Sequence, residues 1–298
     1  MTLTGLYVPL ITPFDDAGAV ALDALEALAH RILDAGATGV VALGTTAEPS
    51  ALSGPERRAV VDLAARVCAE RGACLLVGAA TPQALDALRD RPEAVAALSL
   101  VPPFTRPGEA GVLAHFRHLT EASPVPLVVY HVPCRTGQCL SADALRRLAA
   151  LPGVVGVKYA AGGIDEDTVA LMADLPEGFA VLGGDDLFVS PLLALGAHGA
   201  IVASAHVATA RFVELVEAWR AGDVARARPL GHRLSALSGA LFAEPNPAAI
   251  KAVLHARGVI PTAAVRLPLL PARPDTARTA LRHADALRHA DAPHHVPA

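Results

Sequence analysis

Short apolar runs recur along the first 221 residues, and longer segments of mixed polarity separate them. The runs are rich in Val, Ile, Leu and Ala, without the strict apolar–polar alternation of a half-exposed strand. Such runs are typical of strands that are buried on both faces. We therefore predict eight strands, at residues 5–11, 39–43, 73–78, 97–101, 127–131, 154–158, 180–182 and 199–203.

The segments between these runs have the length and the apolar spacing of helices. They predict helices at residues 21–35, 55–71, 83–90, 108–122, 141–150, 164–174, 187–195 and 207–221. Eight strand–helix units in succession, each with a crossover long enough for a right-handed connection, predict an α/β fold, the (β/α)8 TIM barrel. An open doubly wound sheet typically has a glycine-rich motif after its first strand. Here Thr12-Pro13-Phe14 follows the first strand, which favours the barrel over the open sheet.

Further helical segments follow the barrel pattern, at residues 224–242, 247–257 and 276–289. We therefore predict two parts. The barrel is expected at residues 1–221, and a C-terminal helical extension is expected at residues 222–298.

Composition narrows the class of function. A net charge of −4 and an isoelectric point near 6.3 give no reason to expect nucleic acid or an anionic membrane as a partner. No apolar run reaches the roughly 18 residues of a membrane span, and the N-terminus has no secretion signal. The four cysteines lack metal-ligand spacing, so we expect reduced thiols, a cytoplasmic location and no metal site.

Lys158 ends the strand predicted at residues 154–158. Lys158 and Lys251 are the only lysines among 25 basic residues, so this sequence uses arginine wherever a plain positive charge is enough. Arginine keeps its proton in proteins, whereas a lysine buried at the end of a strand can supply a neutral amine nucleophile. Lys158 is therefore a candidate Schiff-base residue. The alternative is a structural lysine that extends its ammonium group out of the sheet edge.

Other polar residues follow the same ends of the predicted strands, where the active sites of TIM barrels lie. Tyr130 ends the neighbouring strand and suits proton transfer, or else is a core tyrosine whose hydroxyl meets a backbone carbonyl. The turn Gly44-Thr45-Thr46 could hold a carboxylate through N–H groups and hydroxyls, or bond only its own backbone. Arg135, in the loop at residues 133–137, could hold a second carboxylate or be solvated.

Several short motifs in chain order resemble the dihydrodipicolinate synthase / N-acetylneuraminate lyase family of class I, Schiff-base aldolases. The resemblance spans nearly the whole chain. Its motifs are Ile11-Thr12-Pro13-Phe14, Gly44-Thr45-Thr46-Ala47-Glu48, Tyr130-His131-Val132-Pro133-Cys134-Arg135-Thr136-Gly137, Gly156-Val157-Lys158, Gly183-Gly184-Asp185-Asp186 and Glu244-Pro245-Asn246-Pro247-Ala248-Ala249-Ile250-Lys251.

The resemblance implies a lyase that acts on pyruvate and an aldehyde without a metal or an organic cofactor. It also implies a homo-oligomer, a dimer or a tetramer made of tight dimers. The implied catalytic residues are Lys158 as the Schiff-base lysine, Tyr130 as proton donor and acceptor, and Thr45 as a relay hydroxyl. Lys251 is expected to be structural.

The resemblance also implies a set of substrate contacts. Thr46 would contact the pyruvate carboxylate and Ile201 the pyruvate pocket. Arg135 matches the arginine that meets the carboxylate of the aldehyde in the synthase branch, and that the sialate lyase branch lacks. Gly184, in the turn after the seventh predicted strand, is counted with these binding residues.

Three features depart from the family pattern. Phe104 stands where the synthases usually carry a tyrosine that is offered across the tight-dimer interface to complete the relay. The loop at residues 78–81 is shorter than in the family. Gly54, Arg57 and Pro103 stand where lysine-inhibited relatives have histidines and a tyrosine. The first departure predicts slow synthase turnover, and the third argues against feedback control by lysine.

On this resemblance, the expected reaction condenses pyruvate with L-aspartate 4-semialdehyde to give 4-hydroxy-tetrahydrodipicolinate, a step of lysine and diaminopimelate biosynthesis. Two alternatives stay open. One is an aldolase that cleaves a 2-keto-3-deoxy or 4-hydroxy-2-oxo acid into pyruvate and an aldehyde. The other is a catalytically impaired relative that binds a 2-oxo acid, for which Phe104 and the short third loop are the reasons.

Overall fold

The computed structural model of the protein describes residues 2–289 and contains one closed parallel sheet. Its strands are β1 (Gly5–Pro9), β2 (Gly39–Ala42), β3 (Cys74–Gly78), β4 (Ala94–Leu100), β5 (Leu127–His131), β6 (Val154–Tyr159), β7 (Ala180–Gly183) and β8 (Gly199–Ile201). The strands pair in chain order, and β8 pairs with β1 to close the barrel. The TIM barrel predicted from the sequence is therefore confirmed.

Helices connect each strand to the next, and further helices follow the last strand. They are α1 (Leu22–Asp34), α2 (Gly54–Arg71), α3 (Pro82–Asp86), α4 (Gly108–Ala122), α5 (Pro133–Thr136), α6 (Ala142–Ala149), α7 (Glu166–Ala173), α8 (Val189–Ala194), α9 (Ala205–Arg220), α10 (Val224–Leu241), α11 (Ala248–Ala256) and α12 (Pro274–His289). Most predicted boundaries lie within two or three residues of these. The larger differences are that α3 ends at Asp86 rather than at residue 90, and that α5 forms a single turn in the loop predicted after β5.

Local sequence explains where α2 begins and ends. Ser53 and Glu56 form a capping box, in which each side chain bonds the backbone N–H of the other residue. Pro55 lies in the first turn, where its missing N–H is not needed. Gly72 then takes a left-handed conformation with φ of 59°, which satisfies the last carbonyls of the helix.

Side chains on β5 and β6 alternate between the barrel interior and the layer under the helices. Tyr130 and Lys158 are paired in the parallel register, and both side chains face the interior. The next pair, His131 and Tyr159, faces outward, and the Tyr159 hydroxyl lies 3.0 Å from Thr168 Oγ1 on α7. The carboxyl ends of both strands therefore present Tyr130 and Lys158 to the same internal space.

The C-terminal region binds the turn that follows β2. Lys251 on α11 is fully buried, and its Nζ donates to Glu48 Oε1 at 2.6 Å and to Ala264 O at 2.9 Å. The other oxygen of Glu48 accepts from the backbone N–H of Arg266 at 2.8 Å. These contacts give Lys251 a structural role, because they anchor α11 to the barrel end that carries the site residues.

Within residues 2–289, no helix has the length and apolar character needed to cross a membrane.

Candidate active site

Lys158 lies near the end of β6 and is only 5% exposed. Its Nζ lies 4.2 Å from the centroid of the Tyr130 ring on β5. Tyr130 is also buried and belongs to the apolar cluster that fills the barrel. The strand pairing therefore brings an amine and a phenol together in a space largely shielded from water.

Gly184 makes room for the lysine side chain. A Cβ atom at this position would lie 2.5 Å from Lys158 Cγ and 2.8 Å from Lys158 Cε. The backbone N–H of Gly184 donates to Tyr159 O at 2.7 Å, which holds the turn after β7 against the end of β6. The binding residue predicted at 184 thus lies against Lys158, and its lack of a side chain is what permits the contact.

Asp186, the last residue of the motif Gly183-Gly184-Asp185-Asp186, is a buried carboxyl for which the sequence predicted no role. Its Oδ1 accepts a hydrogen bond from Ser204 N at 2.5 Å. Burial raises the pKa of Asp186 to about 6, although the Ser204 bond and the charge of Lys158 oppose that shift. A carboxyl with such a pKa can hold or release a proton close to neutral pH.

Thr45 and Tyr130 line one cavity of about 800 Å³ at the carboxyl ends of β2 to β5. Its apolar wall includes Leu98 and Leu100, and it reaches outward to Arg57. Thr45 is half-buried. The cavity therefore joins two of the three predicted catalytic residues.

Thr46 is buried in a single turn of 3-10 helix, Thr45–Ala47, that follows β2. The first N–H groups of a helical turn have no acceptor inside it, which suits the carboxylate nest predicted for this segment. The Thr46 hydroxyl accepts a hydrogen bond from Asn246 Nδ2 at 2.9 Å. Asn246 belongs to the last family motif, but its place in the sequence does not indicate that it reaches this turn.

The remaining two predicted binding residues differ in their placement. Ile201 ends β8, is fully buried and packs in the interior cluster with Tyr130. Arg135 is exposed on α5, just after β5, and its guanidinium has no hydrogen bond or ion pair within residues 2–289. The structure therefore brings Lys158, Tyr130 and Gly184 into contact and leaves Arg135 outside that group.

Phe104 has an unusual conformation in the loop after β4. Its side chain is 89% exposed and its backbone φ is 66°, in the left-handed region that a bulky residue rarely adopts. Arg106 in the same loop also has a positive φ, of 44°. Within the described part of the chain, no group of three or more His, Cys, Asp or Glu could hold a metal ion.

Comparisons with known proteins agree on one family. The model of the dihydrodipicolinate synthetase family matches residues 2–286. The 4-hydroxy-tetrahydrodipicolinate synthase of Neisseria meningitidis serogroup B is 36% identical over 274 residues, which cover 90% of this chain and 93% of that protein.

Solved structures show the same likeness. The chloride-inhibited dihydrodipicolinate synthase of Acinetobacter baumannii, complexed with pyruvate, is 34% identical with a TM-score of 0.89, covering 95% of this chain and 99% of that one. The dihydrodipicolinate synthase of Thermotoga maritima is 28% identical with a TM-score of 0.91, covering 96% and 99%.

Gly184→Ala tests the packing against Lys158. Because the new methyl group would overlap Lys158 Cγ, we expect the free energy of unfolding to fall by about 1–3 kcal/mol, as for other overpacked sites. We also expect slower imine formation between Lys158 and pyruvate. Urea denaturation and borohydride trapping followed by mass spectrometry measure the two effects.

Gly163→Ala is the matched control, because a Cβ at Gly163 meets nothing within 4 Å. If the two variants have the same free energy of unfolding and the same rate of imine formation, the close contact between residue 184 and Lys158 does not constrain this site.

Proposed function

Because the chain belongs to the dihydrodipicolinate synthetase family, we propose that it is a pyruvate-dependent lyase that condenses pyruvate with L-aspartate 4-semialdehyde to 4-hydroxy-tetrahydrodipicolinate. The observation that carries the proposal is the burial of Lys158 beside Tyr130 inside the barrel. Relatives that carry the name of this synthase match the chain over about nine-tenths of its length, 90% in the meningococcal case. The enzyme would work in the cytoplasm, where its four free cysteines stay reduced.

The chemistry begins with the amine of Lys158. The neutral nitrogen attacks C2 of pyruvate and gives a carbinolamine, whose hydroxyl leaves as water while the C=N bond forms. The ring centroid of Tyr130 lies 4.2 Å from Lys158 Nζ. In the proposed mechanism its phenol gives a proton to the leaving hydroxyl and takes one from the nitrogen. Loss of a methyl proton then gives an enamine, and its carbon attacks the aldehyde. Thr45, which lines the same cavity as Tyr130, carries protons between the phenol and the outside.

Binding of the pyruvate part is divided between two kinds of residue. Thr46 and the N–H groups of its turn hold the carboxylate, because a helical turn presents unpaired donors at its start. Ile201 and Gly184 shape the apolar side of the pyruvate pocket. Ile201 is buried in the barrel interior, and Gly184 leaves room for the side chain of Lys158. No metal or organic cofactor is needed for these steps, since the lysine itself supplies the electron sink.

Arg135 is the residue on which the choice of aldehyde rests. It is exposed and unpaired within residues 2–289, so its guanidinium is available to a carboxylate of the incoming substrate. A planar guanidinium holds a carboxylate through two parallel hydrogen bonds. L-Aspartate 4-semialdehyde carries such a carboxylate, whereas sugar-derived aldehydes do not.

The nucleophile is tested by trapping. Borohydride added with pyruvate should reduce one imine, and peptide mapping should place the added mass on Lys158. Lys158→Arg should abolish the adduct, because a guanidinium keeps its proton and cannot form the imine. Lys251 is the internal control, since it is fully buried and ion-paired. An adduct on Lys251 would contradict the proposal.

The aldehyde is tested with Arg135→Ala. A charge-assisted hydrogen bond is worth about 1.5–3 kcal/mol, so kcat/KM for L-aspartate 4-semialdehyde should fall roughly ten- to hundredfold. Pyruvate imine formation should be nearly unchanged. Arg117→Ala, at an exposed arginine of α4, is the matched control. If the unaltered protein prefers neutral aldehydes and Arg135→Ala does not change that preference, the keto-acid aldolase is favoured instead. If the protein forms the imine but turns over no aldehyde, the catalytically impaired relative is favoured.

The same proposal makes the protein a homo-oligomer in which a second copy covers Phe104. The Phe104 side chain is 89% exposed and its backbone φ is 66°, so in the isolated chain no burial of the ring offsets the cost of this conformation. Burial of the ring against another copy would stabilise it. We expect Phe104→Asp to lower the mass measured by sedimentation velocity. Phe104→Tyr should keep the assembly and speed synthase turnover, because it restores a relay hydroxyl. An unchanged mass for Phe104→Asp would remove this residue from the interface.

A further inference from the structure

Asn246 connects the C-terminal region to the turn that carries Thr46. It lies just before α11 and is 9% exposed, so more than nine-tenths of its surface is buried. Its Nδ2 donates to Thr46 Oγ1 at 2.9 Å, across a separation of 200 residues in sequence. This is the one hydrogen bond that the Thr46 hydroxyl makes within residues 2–289.

The direction of this bond determines where the Thr46 proton can point. A hydroxyl has one proton to donate and two lone pairs that accept. Asn246 occupies a lone pair, so the proton cannot be directed at Asn246. Since the hydroxyl donates no hydrogen bond within residues 2–289, its proton remains available to a ligand.

The other end of the Asn246 amide is not satisfied. Its Oδ1 is buried and has no hydrogen-bond partner within residues 2–289. Leaving a buried acceptor unpaired destabilises the folded protein. A side chain that served only to pack α11 against the barrel could be apolar and would avoid this cost. The amide is therefore explained by what its NH₂ group does at Thr46.

Other residues already fix the backbone of this turn. The Thr12 hydroxyl donates to Ala47 O at 2.8 Å, and Glu48 is held by Lys251 and by the backbone of Arg266. None of these contacts touches the Thr46 hydroxyl. Asn246 is thus separate from the residues that hold the turn in place, because it acts on the side chain alone.

We propose that Asn246 is a positioning residue that holds the Thr46 hydroxyl with its proton directed at the carboxylate of the bound 2-oxo acid. The inference rests on the proposed function, in which that carboxylate occupies the turn after β2. It assigns to the C-terminal region a part in substrate binding. It also explains why the donor is an uncharged amide: a carboxylate at the same place would accept the Thr46 proton and repel the substrate.

Two carbonyl substrates separate positioning from general support. Pyruvate carries the carboxylate, and methyl pyruvate has the same reacting carbon but no negative charge. Trapping of each on Lys158 by borohydride, as a function of concentration, gives a half-saturating concentration for each. In Asn246→Ala, the value for pyruvate should rise about tenfold, the worth of one well-placed hydrogen bond. The value for methyl pyruvate should change less than about twofold, because its uncharged ester oxygen accepts a weaker hydrogen bond from Thr46 than a carboxylate does.

Asn246→Asp is the isosteric test, and it remains informative if the alanine variant folds poorly. Its carboxylate would take the Thr46 proton and add a negative charge, so pyruvate should weaken more than in Asn246→Ala. In a Thr46→Val background, Asn246→Ala should add little to the loss for pyruvate, since residues that act as a unit are not additive. Thr12→Val is the matched control for a loosened turn, and it should affect pyruvate and methyl pyruvate alike.

The first measurement is borohydride trapping of the unaltered protein with pyruvate. If it forms no pyruvate imine on Lys158, the proposed function fails. If it forms one, the inference alone is overturned by any of three results: equal losses for pyruvate and methyl pyruvate in Asn246→Ala, full pyruvate binding by Asn246→Asp, or additive losses with Thr46→Val.

Discussion

The parallel pairing of β5 with β6 sets Tyr130 beside Lys158, and the chemistry available to this barrel depends on that register. Side chains alternate along a strand, so a slip of one residue would place His131 and Tyr159 in the interior and send the amine and the phenol outward. The register is secured on both faces. The interior is filled with apolar side chains, and the outer pair is packed under the helices, where Tyr159 bonds to Thr168.

Close packing around Lys158 requires a residue without a side chain in the turn after β7. The side chain of this lysine runs against Gly184, where even a methyl group would overlap it. Beyond it, Asp186 is held by Ser204 and carries a pKa raised by burial. The amine thus lies between an aromatic ring on one neighbouring strand and a turn without side-chain bulk on the other. Such confinement favours one orientation of the nucleophile over the many that a free lysine would adopt.

The C-terminal region takes part in the same end of the barrel. The division at residue 221 remains a prediction, but the contacts cross it: Asn246 bonds Thr46, and Lys251 forms a buried ion pair with Glu48. Breaking a buried pair by removing one partner typically costs about 3–5 kcal/mol, because the other charge is left without compensation. The turn after β2 is therefore stabilised by residues far away in sequence as well as by its own.

The sequence alone determined the barrel, the order of its elements and most of the residues that meet in it. Buried parallel strands have continuous apolar runs in their sequence, and eight such runs predicted the barrel. The sequence contains only two lysines, which singled out Lys158 as a candidate nucleophile. Both signals are local and can be read without knowing any contact. Short motifs in family order supplied Tyr130, Thr45 and Gly184.

Only the tertiary structure decided which distant groups touch. The spacing of residues did not indicate that Asn246 would bond Thr46 or that Lys251 would pair with Glu48. Nor did it indicate that the charge of Lys158 would lower the pKa of Asp186, against the effect of burial. Such contacts depend on the packing of α11 and on the closure of the barrel. Exposure is decided at the same level, which is why Arg135, grouped by motif with the buried site residues, lies outside on α5. Local sequence encodes which elements form, whereas burial and hydrogen-bond partners arise only when those elements pack together.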